Sequence, residues 1–472
     1  MTQTNSKNLM TEGIIWKKIL FFALPIFFGN LFQQLYNTAD SLIVGNFLGS
    51  EALAAVSSSG NLIFLLVGFF NGIAVGAGVV IARYYGARNG EQVQLAVHTT
   101  VAFGLAASVL MTAVGVILAP QILIWMGTPA EVLGLSTVYF RIYFAGSLGF
   151  IMYNIFVGIL QAAGDSRHPL VYLVISSLIN IVLDLVFVAG MHWGVGSAAF
   201  ATILSQFVSA ALCFRRLLKV QDVYRIEPKK IRFDPPMLKL IIQYGLPSGL
   251  QNSIIGFANV VVQANINAFG QMAMAGCGAF SKIEGFGFLP ITSFTMALTT
   301  FVGQNLGARE LERTRKGARF GILCSMVIAE GIGILIFIGA PWLIAAFNRD
   351  PQVIAYGTDR ARTSALFFFL LAFSHCMAAI LRGAGKSTVP MLVMLLTWCA
   401  ARVTFITLMV KWVNSIQVVF WAYPLTWLMS SVIFFYYYRH VDWMHASTPD
   451  PAAHRTHKQE KGGTGQSEGS LA

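Results

Sequence analysis

From residue 16 to residue 438 the chain repeats one pattern, a run of about 20 or more mainly apolar residues followed by a short, often basic connection. Such runs can be placed twelve times, at approximately 16–48, 52–82, 94–119, 136–162, 169–191, 195–218, 238–269, 275–304, 318–346, 353–381, 388–411 and 416–438. At a rise of about 1.5 Å per residue each is long enough to cross a hydrocarbon core ~30 Å thick. The pattern predicts an all-α membrane protein with twelve transmembrane helices.

The first run is unusual in carrying a polar stripe. Asn30, Gln33, Gln34, Asn37, Asp40 and Ser41 recur at helical spacing on one side, while Phe27, Phe28, Phe32, Leu35 and Ile43 lie largely off it. An unpaired charge inside a spanning helix costs at least about 2.5–3.5 kcal/mol on insertion scales, so Asp40 implies a task. The alternative is a stripe that only joins helices to one another.

Composition removes the soluble classes. Hydrophobic residues make up 56 % of the 472, charged residues 11 %, and the mean hydropathy is +0.67; no soluble domain of this size could cover that much apolar side chain. The net charge of +12 does not point to nucleic acid, because the basic residues cluster between apolar runs. Twenty-five Lys and Arg fall on the side of the N-terminus and five on the other, with Lys282 and Arg402 left at membrane depth. This bias predicts a multi-pass plasma-membrane protein with both termini cytoplasmic. Residues 1–13 are polar and the apolar run after them is too long for a signal-peptide core, so it is read as a retained span. Cys213, Cys277, Cys324, Cys376 and Cys399 stand singly, without CxxC or zinc spacing. There is no GxxxxGK[ST], hence no intrinsic ATPase site is expected.

Sliding the chain over itself by 221 or 222 residues exposes a repeat. Leu24-Pro25, Asn30 and Asn37 meet Leu246-Pro247, Asn252 and Asn259, and Gly86-Ala87-Arg88 meets Gly307-Ala308-Arg309. Leu160, Ala163, Gly164, Ser166 and Pro169 meet Leu381, Ala384, Gly385, Ser387 and Pro390. Six spans per half make both halves enter the membrane in the same direction, so the expected fold is two six-helix bundles related by a pseudo-two-fold axis along the membrane normal. The expected organisation is an N-terminal segment 1–13, bundles 14–218 and 238–440, a cytoplasmic linker 219–237 and a disordered tail 441–472. The repeat fails at Asp40, Asn180 and Asp184, which meet about Val262, Ala401 and Phe405. The acidic constellation belongs to the N-terminal half alone.

Asn180 and Asp184 share a face of the fifth span. Asp184 lies 15 residues beyond Pro169, ~22 Å from that edge, and Thr202 lies roughly 10 Å below the outer edge of a descending span. Tyr139 and Asp40 fall near the outer ends of their spans, so four spans bring polar groups to a similar level. Two carboxylates in a poorly hydrated chamber cannot both ionise cheaply and would titrate as a unit. Such a pair can take a proton or hold Na⁺, with Asn180 and Thr202 adding neutral oxygens; joining helices by hydrogen bonds is the alternative. Further cavity candidates are Asn30, Gln33, Gln34, Asn37, Asn154, Asn252, Asn259 and Gln263, and Asn267 continues the stripe of the seventh span. Pro25 and Pro247 are hinge candidates. Gly68, Gly72 and Gly76 form overlapping GxxxG, a signal for close packing. Lys282 and Glu284 read as an interfacial pair, Glu330 is a lone acid without an assigned role, and His375 reads as a helix-packing histidine.

These residues resemble the MATE family of multidrug and toxin extruders. The likeness rests on the two six-helix halves, LYNTADSLIVGNFLGSEALAAVS from Leu35 to Ser57, the Gly-Ala-Arg pair, LQAAGDSRHP from Leu160 with its echo LRGAGKSTVP from Leu381, and NIVLD from Asn180. It covers about residues 14–440 and is similar in detail to the bacterial DinF-type branch. There the resemblance implies that Asp40, Asn180 and Asp184 bind the coupling cation, with Tyr139 and Thr202 as supporting hydroxyls. The seventh-helix acid of the NorM-type branch is absent, since Ile254, Ile255 and Gly256 occupy that neighbourhood. The implied activity is not enzymatic. It is alternating-access antiport, in which H⁺ or Na⁺ entering from outside releases an amphipathic, often cationic organic compound, with Asp40 doubling as a counter-charge. No cofactor, no nucleic acid and a monomer in the lipid bilayer are expected. A flippase of lipid-linked saccharides is the runner-up; such proteins usually line the cavity with Arg and Lys. A membrane-embedded enzyme or receptor ranks lower, for lack of a nucleophile or metal constellation.

Overall fold

The structure, a computed structural model, describes residues 9–125, 128 and 130–445, with backbone alone for 50, 51, 53–55 and 57–67. The expected tail beyond residue 445 and the first eight residues lie outside the described residues. Among the described residues the chain is helical, without a strand. The first span, Ile15–Gly49, runs into the second, 50–86, within one stretch broken only at Gly49, where φ is 88° and ψ −178°. A backbone with positive φ falls to glycine because no Cβ obstructs it.

The remaining spans are Gly90–Ile117, the pair Ala130–Ala145 and Ser147–Ala162, Arg167–Gly190, Val195–Lys219, Pro235–Asn267, Gln271–Gly307, Leu311–Ala345, the pair Pro351–Ala365 and Phe368–Gly383, Thr388–Val413 and Gln417–His440. They form twelve spans in two six-helix bundles. Several starts follow from local chemistry: Asn89 accepts from the Gln92 amide at 3.2 Å, Asp234 from Met237 at 3.1 Å ahead of Pro235, and Asp350 from Gln352 at 2.8 Å beside Pro351.

The repeat is visible in the backbone. Positive φ recurs at Gly49 and Gly270, Arg88 and Arg309, Gly164 and Gly385, each pair 221 residues apart. The fourth and tenth spans are bent by 50° and 55° at equivalent places, next to Gly146 and Phe367. Both prolines proposed as hinges lie in uninterrupted helix, since Ile15–Gly86 departs from helical backbone only at Gly49 and Pro235–Asn267 nowhere. One core is built around Tyr85, Phe140 and Phe144 and takes in Leu240 and Tyr244 of the seventh span, a second around Phe280, Phe368 and Phe434, and a third joins Phe22 and Ile26 of the first span to Phe294 and Phe301 of the eighth.

The halves meet backbone to backbone. A Cβ on Gly72 would lie 2.2 Å from the Gly249 nitrogen, and one on Gly76 2.2 Å from that of Gly245; two helices approach so closely only without side chains between them. Asn30 donates to Thr292 at 3.3 Å, and its repeat partner Asn252 donates to the Gly68 carbonyl at 3.3 Å, so each crosses to the opposite half. Nearer the basic face Gln304 donates to the Ala162 carbonyl at 2.7 Å, and Arg83 to Tyr244 and the Ala384 carbonyl at 3.3 Å.

A strap closes that face. Leu9 and Met10 are buried, and the Met10 amide donates to Gln304 at 2.9 Å. Arg313 donates to the carbonyls of Met10, Glu12 and Gly13 at 2.7 to 3.2 Å, and Arg88 of the other half pairs with Glu12 at 2.7 Å. Arg313→Ala is therefore expected to cost about 2 kcal/mol, the worth of charge-assisted hydrogen bonds. The measurement is the thermal midpoint of the purified protein, against Arg315→Ala at an exposed position as control. In the connection between the halves Lys230 donates to Glu227 at 2.9 Å and holds that carboxyl below the usual carboxylate range.

Candidate functional site

Asp40 on the first span and Asp184 on the fifth lie side by side, carboxyl near carboxyl. Asp184 is 0 % exposed and Asn180, one turn before it, 1 %. Neither aspartate has a basic side chain within ion-pair distance among the described residues. With both carboxyls ionised, Asp40 Oδ1, both oxygens of Asp184 and both polar atoms of the Asn180 amide find no partner. Like unit charges ~4 Å apart repel by about 4 kcal/mol even at an effective dielectric of about 20. The arrangement can take up a cation or a proton between the acids. Its donor set, carboxylate and amide oxygens, suits a hard ion such as Na⁺ or the proton itself. Among the described residues no group of three or more His, Cys, Asp and Glu could hold a metal ion.

Aromatic hydroxyls and an amide surround the pair. Tyr36, buried one turn before Asp40, has its hydroxyl within hydrogen-bonding reach of the Gln33 and Gln206 amides and lies near both acids. Tyr139 is buried beside both acids and stacks on Tyr143, their ring centroids 6.3 Å apart. The Thr202 hydroxyl donates to the Ala198 carbonyl of its own helix at 3.0 Å, which leaves only its lone pairs for an ion. Directly after Asp184 the helix widens into a π-turn over Leu185–Gly190, a local distortion that recurs at functional sites.

The MatE family pattern matches residues 25–186 and 247–430 of the chain, both halves of the repeat. The chain belongs to the MATE family. It is 27 % identical over 452 residues to the probable multidrug resistance protein YoeA of Bacillus subtilis, covering 93 % of this chain and 97 % of that one. It is 28 % identical over 407 residues to the probable multidrug resistance protein NorM of Thermotoga maritima, covering 84 % and 86 %. A solved multidrug resistance MATE family transporter of the MOP superfamily, in an outward-facing conformation, superposes with a TM-score of 0.86 at 26 % identity, over 93 % of this chain and 98 % of that one.

Within this MATE protein the other sequence candidates divide between exposed or half-buried helix positions and the contact between the halves. Gln33, Asn37, Asn259 and Gln263 are exposed and Gln34 is half-buried, and Gln263 donates to Asn267 at 2.8 Å. Asn154 donates to the Phe150 carbonyl at 2.7 Å and lines a small void with Phe70, Asn71 and Thr100. Tyr36, Tyr143 and Gln206 escaped the sequence reading, yet each stands four residues from a chosen one: Asp40, Tyr139 and Thr202. One more step along the helical stripe from each candidate finds them.

In the C-terminal half the ion partner of Glu284 is Arg360, at 4.0 Å, rather than the exposed Lys282. Glu330 accepts from the Phe369 amide at 3.1 Å and so caps, from the neighbouring helix, the segment that restarts after the bend of the tenth span. His375 is edge-on to Phe288 and Trp398, centroids 4.9 and 5.1 Å away, in a packing position.

Proposed function

We propose that this MATE protein is a multidrug exporter of the plasma membrane that trades an inward-moving H⁺ or Na⁺ for an outgoing amphipathic organic compound, often cationic. The observation that carries the proposal is the closeness of Asp40 to Asp184, buried and without a basic partner. One cation satisfies both acids; its loss leaves two repelling charges, and the first and fifth spans then gain by moving. Asn180, Tyr139 and Thr202 belong to the same coupling site, and Tyr36 and Gln206 join it. The polar atoms of Gln33, Gln34, Asn37, Asn259 and Gln263 line the chamber, because an amide facing lipid would lose its hydrogen bonds. Lack of an acid at Ile254, Ile255 and Gly256 supports the DinF-type arrangement with coupling through the N-terminal half.

With both termini cytoplasmic, as the excess of basic residues on their side favours, the glycine contacts and the strap close the cytoplasmic side, which makes the described state outward-facing. Pro25 and Pro247 serve as hinges for the return. The bundles 14–218 and 238–440 move as units about the linker 219–237, and one copy of the chain suffices. The test is efflux of a fluorescent organic cation from proteoliposomes under separately imposed proton and sodium gradients. Accumulation driven by one of them is expected; equal dye distributions with and without either gradient would refute the antiport reading.

A further inference from the structure

The C-terminal half carries a counterpart of the coupling site with its charge inverted. Shifted by 221 residues, Tyr139 becomes Arg360 and Thr202 becomes Tyr423, while Arg402 lies one helical turn before Phe405, the counterpart of Asp184. Arg402 directly follows a π-helical turn, Leu395–Ala401, as Asp184 directly precedes one. The two arginines converge on Tyr423, whose ring centroid is 4.4 Å from the Arg402 Cζ and 5.3 Å from that of Arg360. Arg402 also lies over Trp398 at 5.4 Å and donates to the Thr426 hydroxyl at 2.7 and 3.1 Å.

Both guanidiniums are buried, 4 % and 3 % exposed, and guanidinium stays charged. Among the described residues Arg360 Nε has no hydrogen-bond partner, and its Nη1 donates to the Cys277 carbonyl at 3.3 Å. Among the described residues one carboxylate answers the two charges: Glu284 stands 4.0 Å from Arg360 and within electrostatic reach of Arg402. The cluster thus holds an excess of positive charge in a buried setting where an unpaired ion is costly. Glu284, with 23 % of its side chain exposed, marks the side from which the cluster is reached.

From this we infer that Arg360 and Arg402, with Tyr423 and Trp398, form a binding site for the carboxylate or sulfonate of an aromatic substrate, making the exporter competent for zwitterionic and anionic amphiphiles as well as cations. The inference names a substrate class for the export proposed above and rests on that reading. Planar guanidinium forks match carboxylate geometry, and the flanking rings supply a face for an aromatic body. A cluster that only ties the eighth, tenth, eleventh and twelfth spans together would not distinguish an acid from its ester.

The test is equilibrium binding of rhodamine B, which carries a carboxylate, and of rhodamine B methyl ester to the purified full chain. Rhodamine B is expected to bind more tightly than the ester and to be displaced by benzoate, which leaves the ester in place. Arg402→Gln and Arg360→Gln should each raise the Kd of rhodamine B about tenfold and that of the ester less than twofold. Equal losses for acid and ester would overturn the site. Where a variant fails to fold, the native protein decides: equal Kd values, or no displacement by benzoate, refute it. Because binding is read without a gradient, failure here is separate from failure of coupled export.

Discussion

Asp184→Asn is expected to abolish gradient-driven export while leaving a folded protein in the membrane. A charge moving down 100 mV supplies about 2.3 kcal/mol, enough for roughly fiftyfold accumulation. An amide in place of the fully buried acid neither releases a proton nor neutralises Na⁺, so that ratio should fall to about one. Asp40→Asn should do the same, and the double variant should be no worse than either, because two groups that hold one ion fail together. The measurement is steady-state dye accumulation in proteoliposomes under the gradient that drives the native chain. Native accumulation by either single variant would dismiss the shared-ion mechanism. Binding of a neutral dye should survive in all three, showing that the loss is in coupling and not in folding.

The second large effect is expected from a side chain where the halves touch. Gly76→Leu places a branched chain where even a Cβ would come 2.2 Å from the Gly245 nitrogen. Overpacking of rigid backbone costs typically 1–3 kcal/mol and occasionally more. Here the strain is relieved by separating the bundles at this contact. The variant should shift to the state open at the basic face and lose transport. The readout is thiol labelling of Ser248→Cys, a buried position against Gly72, in a background without the five native cysteines. Fast labelling beside Gly76→Leu and slow labelling without it is the expected pair of results. Slow labelling in both, together with native transport, would show that the contact is not a gate.

Sequence and structure agree where the physics is local or costly. Twelve apolar runs are legible because each must satisfy its backbone within itself, and Asp40 with Asp184 because charge at membrane depth demands a reason. The seventh span is the weakest of the runs, since Asn252, Asn259, Gln263 and Asn267 interrupt it, but the repeat places it. What escaped depends on contacts distant in the chain. Arg360 counts, by topology alone, as a charge at the outer end of a helix, yet it is buried against Phe280 and Tyr423. The bends at Gly146 and Phe367 carry no proline to announce them. Glu330 finds its task only because one of those bends frees an amide beside it.

The strap gives the chain an order of assembly. Arg313, which grips the Met10 carbonyl, follows Met10 in the chain by 303 positions. A closure between such remote partners waits until the intervening spans are in place. The nascent protein thus stays unlatched until its ninth helix arrives, and a truncated product that stops short of it cannot lock shut and enter the working cycle.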